Sequence, residues 1–218
     1  MATAQTVTSI ILSRLIHPGK AYTLGFITAD GAVVNNRLAI EVHQKDADVL
    51  DFFRKEINPV ATKTIVKNKV DQVASSGKRY VYEKDNVRVA FSAKQLGIDL
   101  AKYGVVQNKS KVITGIPECM VNSPYLSFYF RGLFDGDGCI KENGEICLYS
   151  GSRKFLENVQ DVLVSKINVS RLKIYHGTSY FLSWSRKSDR QKLFDFLYDD
   201  LDKAYFYPRK YDRLKNSL

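Results

Sequence analysis

The apolar residues of the chain fall into patches of two different periods, and the order of those patches outlines the fold. Val49, Leu50, Phe53 and Ile57 recur at the three-and-four spacing of one helix face and predict a helix over Ala47–Ile57. Phe155, Leu156, Val159, Val162 and Leu163 predict another over Lys154–Ile167. Two short β-rich stretches precede each helix. Ala32–Val34 and Arg37–His43 meet at Asn35-Asn36; Cys139–Lys141 and Glu145–Tyr149 meet at Asn143-Gly144, a dipeptide that tolerates the positive φ of a tight hairpin. A second hairpin follows each helix: Ala61–Lys69 with Arg79–Phe91, whose turn holds Asp71 to Lys78, and Ser170–Tyr175 with Tyr180–Arg186. Helical patterns around Ala93–Tyr103 and Ser188–Tyr205 come next.

The two halves are a repeat. Leu24-Gly25-Phe26-Ile27-Thr28-Ala29-Asp30-Gly31 reappears as Arg131-Gly132-Leu133-Phe134-Asp135-Gly136-Asp137-Gly138, at an offset of 107 residues. With this segment as a leading helix each half reads αββαββα, an α+β fold. Ile113 to Ser123, which contains Pro117 and is followed by Pro124, is the expected linker, so the expected units are 1–112 and 124–218 joined by 113–123.

Composition narrows the class. The 218 residues are 44% apolar and 26% charged, which excludes disorder and collagen-like structure and leaves room for a real core. No apolar run approaches the roughly 18 residues of a membrane span. The first residues lack a charged n-region and a long apolar h-region, Ile10-Ile11-Leu12 being broken by Ser13 and Arg14, so an intracellular protein is expected. Cys119, Cys139 and Cys147 are odd in number and form no C-x-x-C pair, which argues for reduced thiols. Lysine and arginine number 33 against 23 acids, a net +10, and both halves share the excess: 17 against 11 over residues 1–120 and 16 against 12 over residues 121–218. A polyanion laid across the whole protein fits that distribution, and nucleic acid is the commonest one.

The repeated segment carries the candidate chemistry. Gly25 with Ala29, and Gly132 with Gly136, stand four apart. On a helix they share a face and let two backbones approach closely, so the two repeat helices are expected to pack on each other. Asp30 and Asp137 then lie at helix C-termini, with Gly31 and Gly138 expected as left-handed caps. A carboxylate there faces the negative end of the helix dipole, and a second, converging carboxylate repels it. Divalent cations relieve both problems, and two oxygen-ligated ions suit in-line phosphodiester hydrolysis. A single Asp-Gly is an ordinary turn; matched copies behind matched small-residue stripes are a candidate site.

Thr23–Gly31 and Phe130–Gly138, the doubled αββαββα pattern and the chain length resemble the two-motif, single-chain LAGLIDADG homing endonucleases, from about Tyr22 to Tyr211. The resemblance implies a pseudo-twofold monomer whose motif helices form the lobe interface and whose lobes each lay a curved antiparallel sheet in the DNA major groove. It implies a site-specific endonuclease in which Asp30 and Asp137, helped by the carbonyls of Ala29 and Gly136, bind Mg²⁺, for which Mn²⁺ substitutes. The cut is expected across the minor groove with 3′ overhangs. Polar groups around the metal-bound water are expected at Gln44 and Ser150, which end matched strands, and at Lys109 and Lys210 after the third helices, where a lysine can stabilise phosphorane charge or polarise the water. Thr28 stands where the family has its first acid, which Asp135 retains, and Gln44 against Ser150 makes the half-sites unequal. An intron-encoded maturase acting on RNA and a non-cleaving DNA-binding regulator are the alternatives; the presence of both Asp30 and Asp137 favours cleavage.

Strands of about ten residues at about 3.3 Å each would span about ten base pairs per lobe, or about 20 for the double-stranded target. Strand parity puts Arg37, Glu41, Lys141, Lys173, Tyr175, Ser183 and Ser185 on the outward face as base readers, with His43 beside Gln44 near the DNA. Lys63, Lys67, Lys69, Arg79, Arg153 and Arg186 are candidates for contacts to bases or phosphates. Phe52, Phe53, Phe194 and Phe196 are assigned to cores, and Tyr205, Phe206 and Tyr207 to anchoring the C-terminal segment. His17, His43 and His176 show no H-x-x-x-H spacing, which argues against a zinc mechanism.

Overall fold

A computed structural model describes residues 17–73 and 77–218; the Ile10–Leu12 run and part of the Asp71–Lys78 turn lie outside them. Helix α1 (Pro18–Asp30) begins on a proline whose fixed φ suits a first helical turn. It is buried without interruption from Ala21 to Ala29, the mark of a helix covered on all sides. Strands β1 (Ala32–Val34) and β2 (Arg37–His43) follow, joined by Asn35 and Asn36 with φ of 49° and 62°, the backbone of a two-residue hairpin turn. A 3₁₀ turn over Gln44–Asp46 leads to α2 (Asp48–Ile57), the long hairpin β3 (Lys63–Val73) and β4 (Arg79–Ser92), α3 (Lys94–Lys102) and the short helices α4 (Lys109–Val112) and α5 (Glu118–Val121). The second lobe repeats the order with α6 (Leu126–Asp137), β5 (Gly138–Ile140), β6 (Ile146–Ser150), α7 (Arg153–Ile167), β7 (Tyr175–His176), β8 (Tyr180–Trp184) and α8 (Lys187–Tyr198), and ends in α9 (Pro208–Lys215). Among the described residues no helix is long and apolar enough to cross a membrane.

Each lobe contains one antiparallel four-stranded sheet, ordered β1-β2-β4-β3 and β5-β6-β8-β7. One face of each is core. Leu38, Ile40 and Val42 point inward from β2, as Leu148 does from β6 and Leu182 and Trp184 from β8, all buried. The alternate residues of β2 face out, as strand parity requires.

The two lobes meet through α1 and α6, and the contact is backbone to backbone. A Cβ on Gly25 would stand 1.9 Å from the Tyr129 carbonyl oxygen, and one on Gly132 would stand 2.0 Å from that of Tyr22. Only glycine permits this approach at either site. The hydrogen bonds across the interface follow the repeat offset: the Tyr22 hydroxyl donates to Asp135 Oδ2 at 2.9 Å, and the Tyr129 hydroxyl, its repeat mate, donates to Thr28 Oγ1 at 3.3 Å. Thr28 in place of an acid is thereby explained: the position must accept a tyrosine proton, and a hydroxyl does so.

The structure departs from the sequence expectations in several places. Asp71 to Val73 belong to β3, paired with Arg79 to Val81, rather than to a turn. The Ser170–Tyr175 strand shrinks to Tyr175–His176, because side chains take its ladder bonds: Ser170 N donates to Asp189 Oδ1 at 3.0 Å, and Leu172 N and its carbonyl both bond Gln160 of α7. Helix α8 stops at Tyr198 instead of continuing to Tyr205. There the buried Arg131 guanidinium collects the carbonyls of Leu197 at 2.6 Å, Asp200 at 3.1 Å and Ala204 at 3.4 Å, satisfying acceptors that a helix end leaves open. The segment from Ile113 to Ser123 includes α5 and buries Ile113, Ile116 and Met120. After α8, Tyr205 and Tyr207 cross to the first lobe, their rings within 6.1 Å of those of Tyr22 and Phe26 respectively, which anchors the C-terminal segment as expected.

Candidate active site

Helices α1 and α6 end beside one another, and their last residues are Asp30 and Asp137. Asp30 Oδ2 lies 3.5 Å from where a Cβ on Gly136 would stand, and Ala29 Cβ 2.4 Å from it, so the small residues at 29 and 136 bring the acids together. Burial raises the Asp137 carboxyl to about 7, and the charge of Asp30 adds to the rise. Asp30 keeps an exposed surface, and the crowding around its carboxyl raises it too, opposed by Lys210, Lys109 and Lys84. The repulsion between the two carboxylates acts on both.

Gly31 and Gly138 are not left-handed caps. Their φ values are −70° and −84°, ordinary for any residue. Steric room is what requires glycine: a Cβ would lie 2.7 Å from the Ile27 carbonyl oxygen in one copy and 2.3 Å from the Phe134 carbonyl oxygen in the other.

Lys109 and Lys210 occupy matched places. Lys109 Nζ donates to the Gly31 carbonyl at 2.6 Å, and Lys210 Nζ donates to the Gly138 carbonyl at 2.6 Å. Each ammonium thus sits at the negative end of a motif helix. Burial lowers both; Asp137 and then Asp30 oppose this for Lys109, and Asp135 does so first for Lys210. The two differ in how their protons are used. Lys210, buried, also donates to Phe134 O at 2.7 Å and Asp135 O at 2.6 Å, committing all three protons. Lys109 makes the Gly31 bond alone.

Gln44 is exposed at the start of the 3₁₀ turn and lines a surface hollow with His43, Lys45 and Tyr82 to Asp85; its side chain makes no hydrogen bond among the described residues. Ser150 Oγ accepts from Ser152 N at 3.1 Å and shapes the entry to α7. The structure therefore gathers Asp30, Asp137, Lys109 and Lys210, with Gln44 on the first-lobe rim and Ser150 engaged by its own turn. Three basic residues of the neighbourhood went unselected in the sequence: Lys84, which lowers Asp30, and Arg209 and Arg213, which line a 180 Å³ cavity with Gly136, Gly138, Cys139, Ile140 and Lys210. Arg209 also bridges the lobes through a two-bond pair with Asp46, both at 2.8 Å. Lys84 follows from strand parity; the arginines required knowing where α9 lies.

The outward sheet faces carry the other candidates. Arg37, Glu41 and His43 share the open face of β2. Lys63, Lys67, Lys69 and Arg79 lie on the opposite face, in register with Val89, Asp85, Glu83 and Val73. Lys63 bonds Asp51 at 2.6 Å, Arg79 pairs with Asp71, and Lys67 and Lys69 stand across from acids, so this face is a charge ladder along the hairpin. In the second lobe Lys141 pairs with Glu145 at 3.0 Å, and Ser183 donates to the same carboxylate. Tyr175 stacks on Phe181 at 5.4 Å, with Lys173 Nζ 5.6 Å from the Tyr175 ring centre. Ser185 and Arg186 lie beyond β8, Arg186 bonding Ser170 at 3.2 Å, and Arg153 pairs with Glu157 at 2.9 Å on α7.

Two αββαββα lobes joined by a glycine-bridged helix pair that ends in acids define the LAGLIDADG fold. Residues 125–193 match the family of the LAGLIDADG-like domain. Among solved structures the chain is similar to the homing endonuclease I-WcaI bound to its DNA recognition sequence, with 14% identity over 89% of this chain and 84% of that one at a TM-score of 0.58. It is also similar to the LAGLIDADG meganuclease I-CpaMI bound to uncleaved DNA, with 14% identity over 90% and 89% at a TM-score of 0.52. A third is the N-terminal LAGLIDADG domain of DUF199/WhiA, with 14% identity over 84% and 83% at a TM-score of 0.51. No curated protein sequence matches the chain.

Proposed function

We propose that the chain is a site-specific DNA endonuclease that cuts both strands of a long duplex with a staggered break leaving 3′ overhangs. The observation that carries this reading is the pair of carboxylates, Asp30 and Asp137, held together at the ends of two helices between two outward-facing sheets. Such a pair has little reason to exist in a metal-free structural role, because the partial desolvation of half-buried Asp137 and mutual repulsion both oppose its charge. Asp30 and Asp137, with the carbonyls of Ala29 and Gly136, would hold Mg²⁺ or Mn²⁺; these oxygen donors fit a hard cation, and no group of three or more His, Cys, Asp or Glu competes for it among the described residues. The ions would supply an activated water and charge neutralisation on the phosphate. The protein's own groups do the rest. Lys109 has two protons left to offer a phosphoryl oxygen, Lys210 fixes the end of α6, and Gln44 stands exposed on the first-lobe rim.

A monomer would suffice, because one chain contains both acids. The net +10 charge and the DNA-bound state of I-WcaI and I-CpaMI support duplex DNA as the partner. A non-cleaving DNA-binding protein is the second reading, favoured by the likeness to the WhiA domain, whose name carries no nuclease activity. A randomised duplex library incubated with Mg²⁺, and in parallel with Ca²⁺ or EDTA, separates the two. Discrete Mg²⁺-dependent ends with 3′ overhangs, lost in Asp30→Asn and Asp137→Asn while binding persists, are expected. Tight duplex binding with every duplex uncut would establish the second reading instead.

A further inference from the structure

The open face of the first-lobe sheet holds a polar cluster that the acid pair does not use. Glu41 lies at its centre. Its Oε1 accepts from Asn68 Nδ2 at 2.9 Å and Asn86 Nδ2 at 2.8 Å; its Oε2 accepts from Arg88 Nε at 2.8 Å and lies 2.5 Å from Arg88 Nη2. These donors come from the two strands that follow β2 in the sheet, Asn68 from β3 and Asn86 and Arg88 from β4, with Glu41 opposite Arg88 and Asn68 opposite Lys84 in the register. Glu41 has four acceptor sites, and three hydrogen bonds together with the close Arg88 Nη2 contact crowd them. It has no capacity left for a base, and its charge would repel a phosphate.

Arg88 is in the reverse situation. A guanidinium has a side edge, formed by Nε and one Nη, and an end edge, formed by the two Nη groups. Glu41 takes the side edge. The end edge, with Nη1 uncommitted, is turned away from the carboxylate, and the side chain is 47% exposed. Held this way, the residue presents two parallel donors of fixed direction. Its charge is largely cancelled by Glu41, which makes it a poor attractor of phosphate and leaves geometry as its means of selection. The cross-strand pair beside it, Ala39 with Ala90, is small and lets a groove floor come close.

We propose that Arg88 reads a guanine in the major groove, through O6 and N7, and that Glu41 is the positioning residue that fixes it for that contact. Guanine is the base whose groove edge offers two adjacent acceptors; adenine and cytosine each present a donor there. The proposal rests on the duplex-DNA reading above and assigns one base of the target without requiring cleavage.

Selection of binding sites from a randomised duplex pool in Ca²⁺ tests it with the full chain. The wild type is expected to fix G at one base pair under the first lobe. Arg88→Gln should lose that preference by about five- to 150-fold while leaving the other positions intact. Glu41→Gln should weaken the same position while the other positions keep their preference. Unaltered preference at every position in Arg88→Gln overturns the proposal. So does an even loss across all sequences with a smaller salt slope, which identifies a phosphate contact. A wild type that selects no duplex overturns the DNA reading itself, a distinct result. Melting curves of both variants show whether they remain folded.

Discussion

Replacing Gly25 by alanine tests the link between helix packing and the acid pair. The added Cβ would stand 1.9 Å from the Tyr129 carbonyl oxygen. A carbon and a carbonyl oxygen approach to about 3.3 Å at closest, so α1 and α6 must separate by about 1.4 Å. Alanine contributes up to about 1 kcal/mol of helix propensity in return. Overpacking costs about 1–3 kcal/mol when side chains can give way, and here the obstacle is backbone, so a net loss of about 2 kcal/mol is expected. For a chain of this size that lowers Tm by about 4–8 °C. Gly132→Ala meets the Tyr22 carbonyl at 2.0 Å and should behave alike. Because both substitutions open one interface, the double variant should lose less than the sum of the two. The same separation draws Asp30 from Asp137, so the Asp137 carboxyl should fall from about 7, readable by carbon NMR titration. A Gly25→Ala protein that melts within 1 °C of wild type, by the same about 2–4 °C per kcal/mol scale, would refute the reasoning.

Deprotonation of Asp137 must precede cation binding, so Mg²⁺-dependent cleavage should rise with pH through about 7 and level off above it; a rate independent of pH between 5 and 8 would disprove that role. The sign for stability is opposite: the folded carboxyl is raised above its unfolded value, so its contribution to cation-free stability is largest at acid pH and is lost as pH rises toward 7, which denaturant titrations at several pH values measure. Lys210→Met removes a donor from three carbonyls, of which Phe134 O keeps the Gly138 N–H, and should cost about 2 kcal/mol or more, whereas Lys109→Met removes one and should cost about 1 kcal/mol, a ranking that thermal melts would reverse if the paired roles were misjudged. Duplex affinity should fall steeply as salt rises, with a log–log slope of about −0.9 per phosphate contacted; a flat response excludes a phosphate-tracking surface.

The repeat made the helix pair and its acids legible, because the 107-residue offset aligns Gly25 with Gly132 and Asp30 with Asp137 in the sequence itself. Hairpins marked by Asn35-Asn36 and Asn143-Gly144 were legible for the same local reason. What escaped depends on partners distant in sequence. Gln160 sits in a helical pattern like any solvent-facing glutamine, yet its side chain dissolves a strand by bonding Leu172. Arg131 stands where the first copy has Leu24, and nothing local announces that it ends α8. Glu41 looked like a base reader by parity; its saturation by Asn68, Asn86 and Arg88 is visible only once a register linking residues up to 47 apart is known. For the lysines of β3 strand parity was no guide, because the hairpin extends past the core, where both faces are wet and polarity loses its meaning.

The two hairpins that repeat symmetry pairs are far from equal: β3 and β4 run 11 and 14 residues, β7 and β8 only 2 and 5. At about 3.3 Å per residue the first arm reaches beyond ten base pairs, while the second covers about half that or less. For the proposed endonuclease this gives the target a direction. A site reversed end for end presents its heavily inspected half to the arm that inspects little, and is rejected. The information demanded of a target is concentrated on one flank, so sequence drift on the other flank is tolerated, and the protein can follow a host site that changes on one side only.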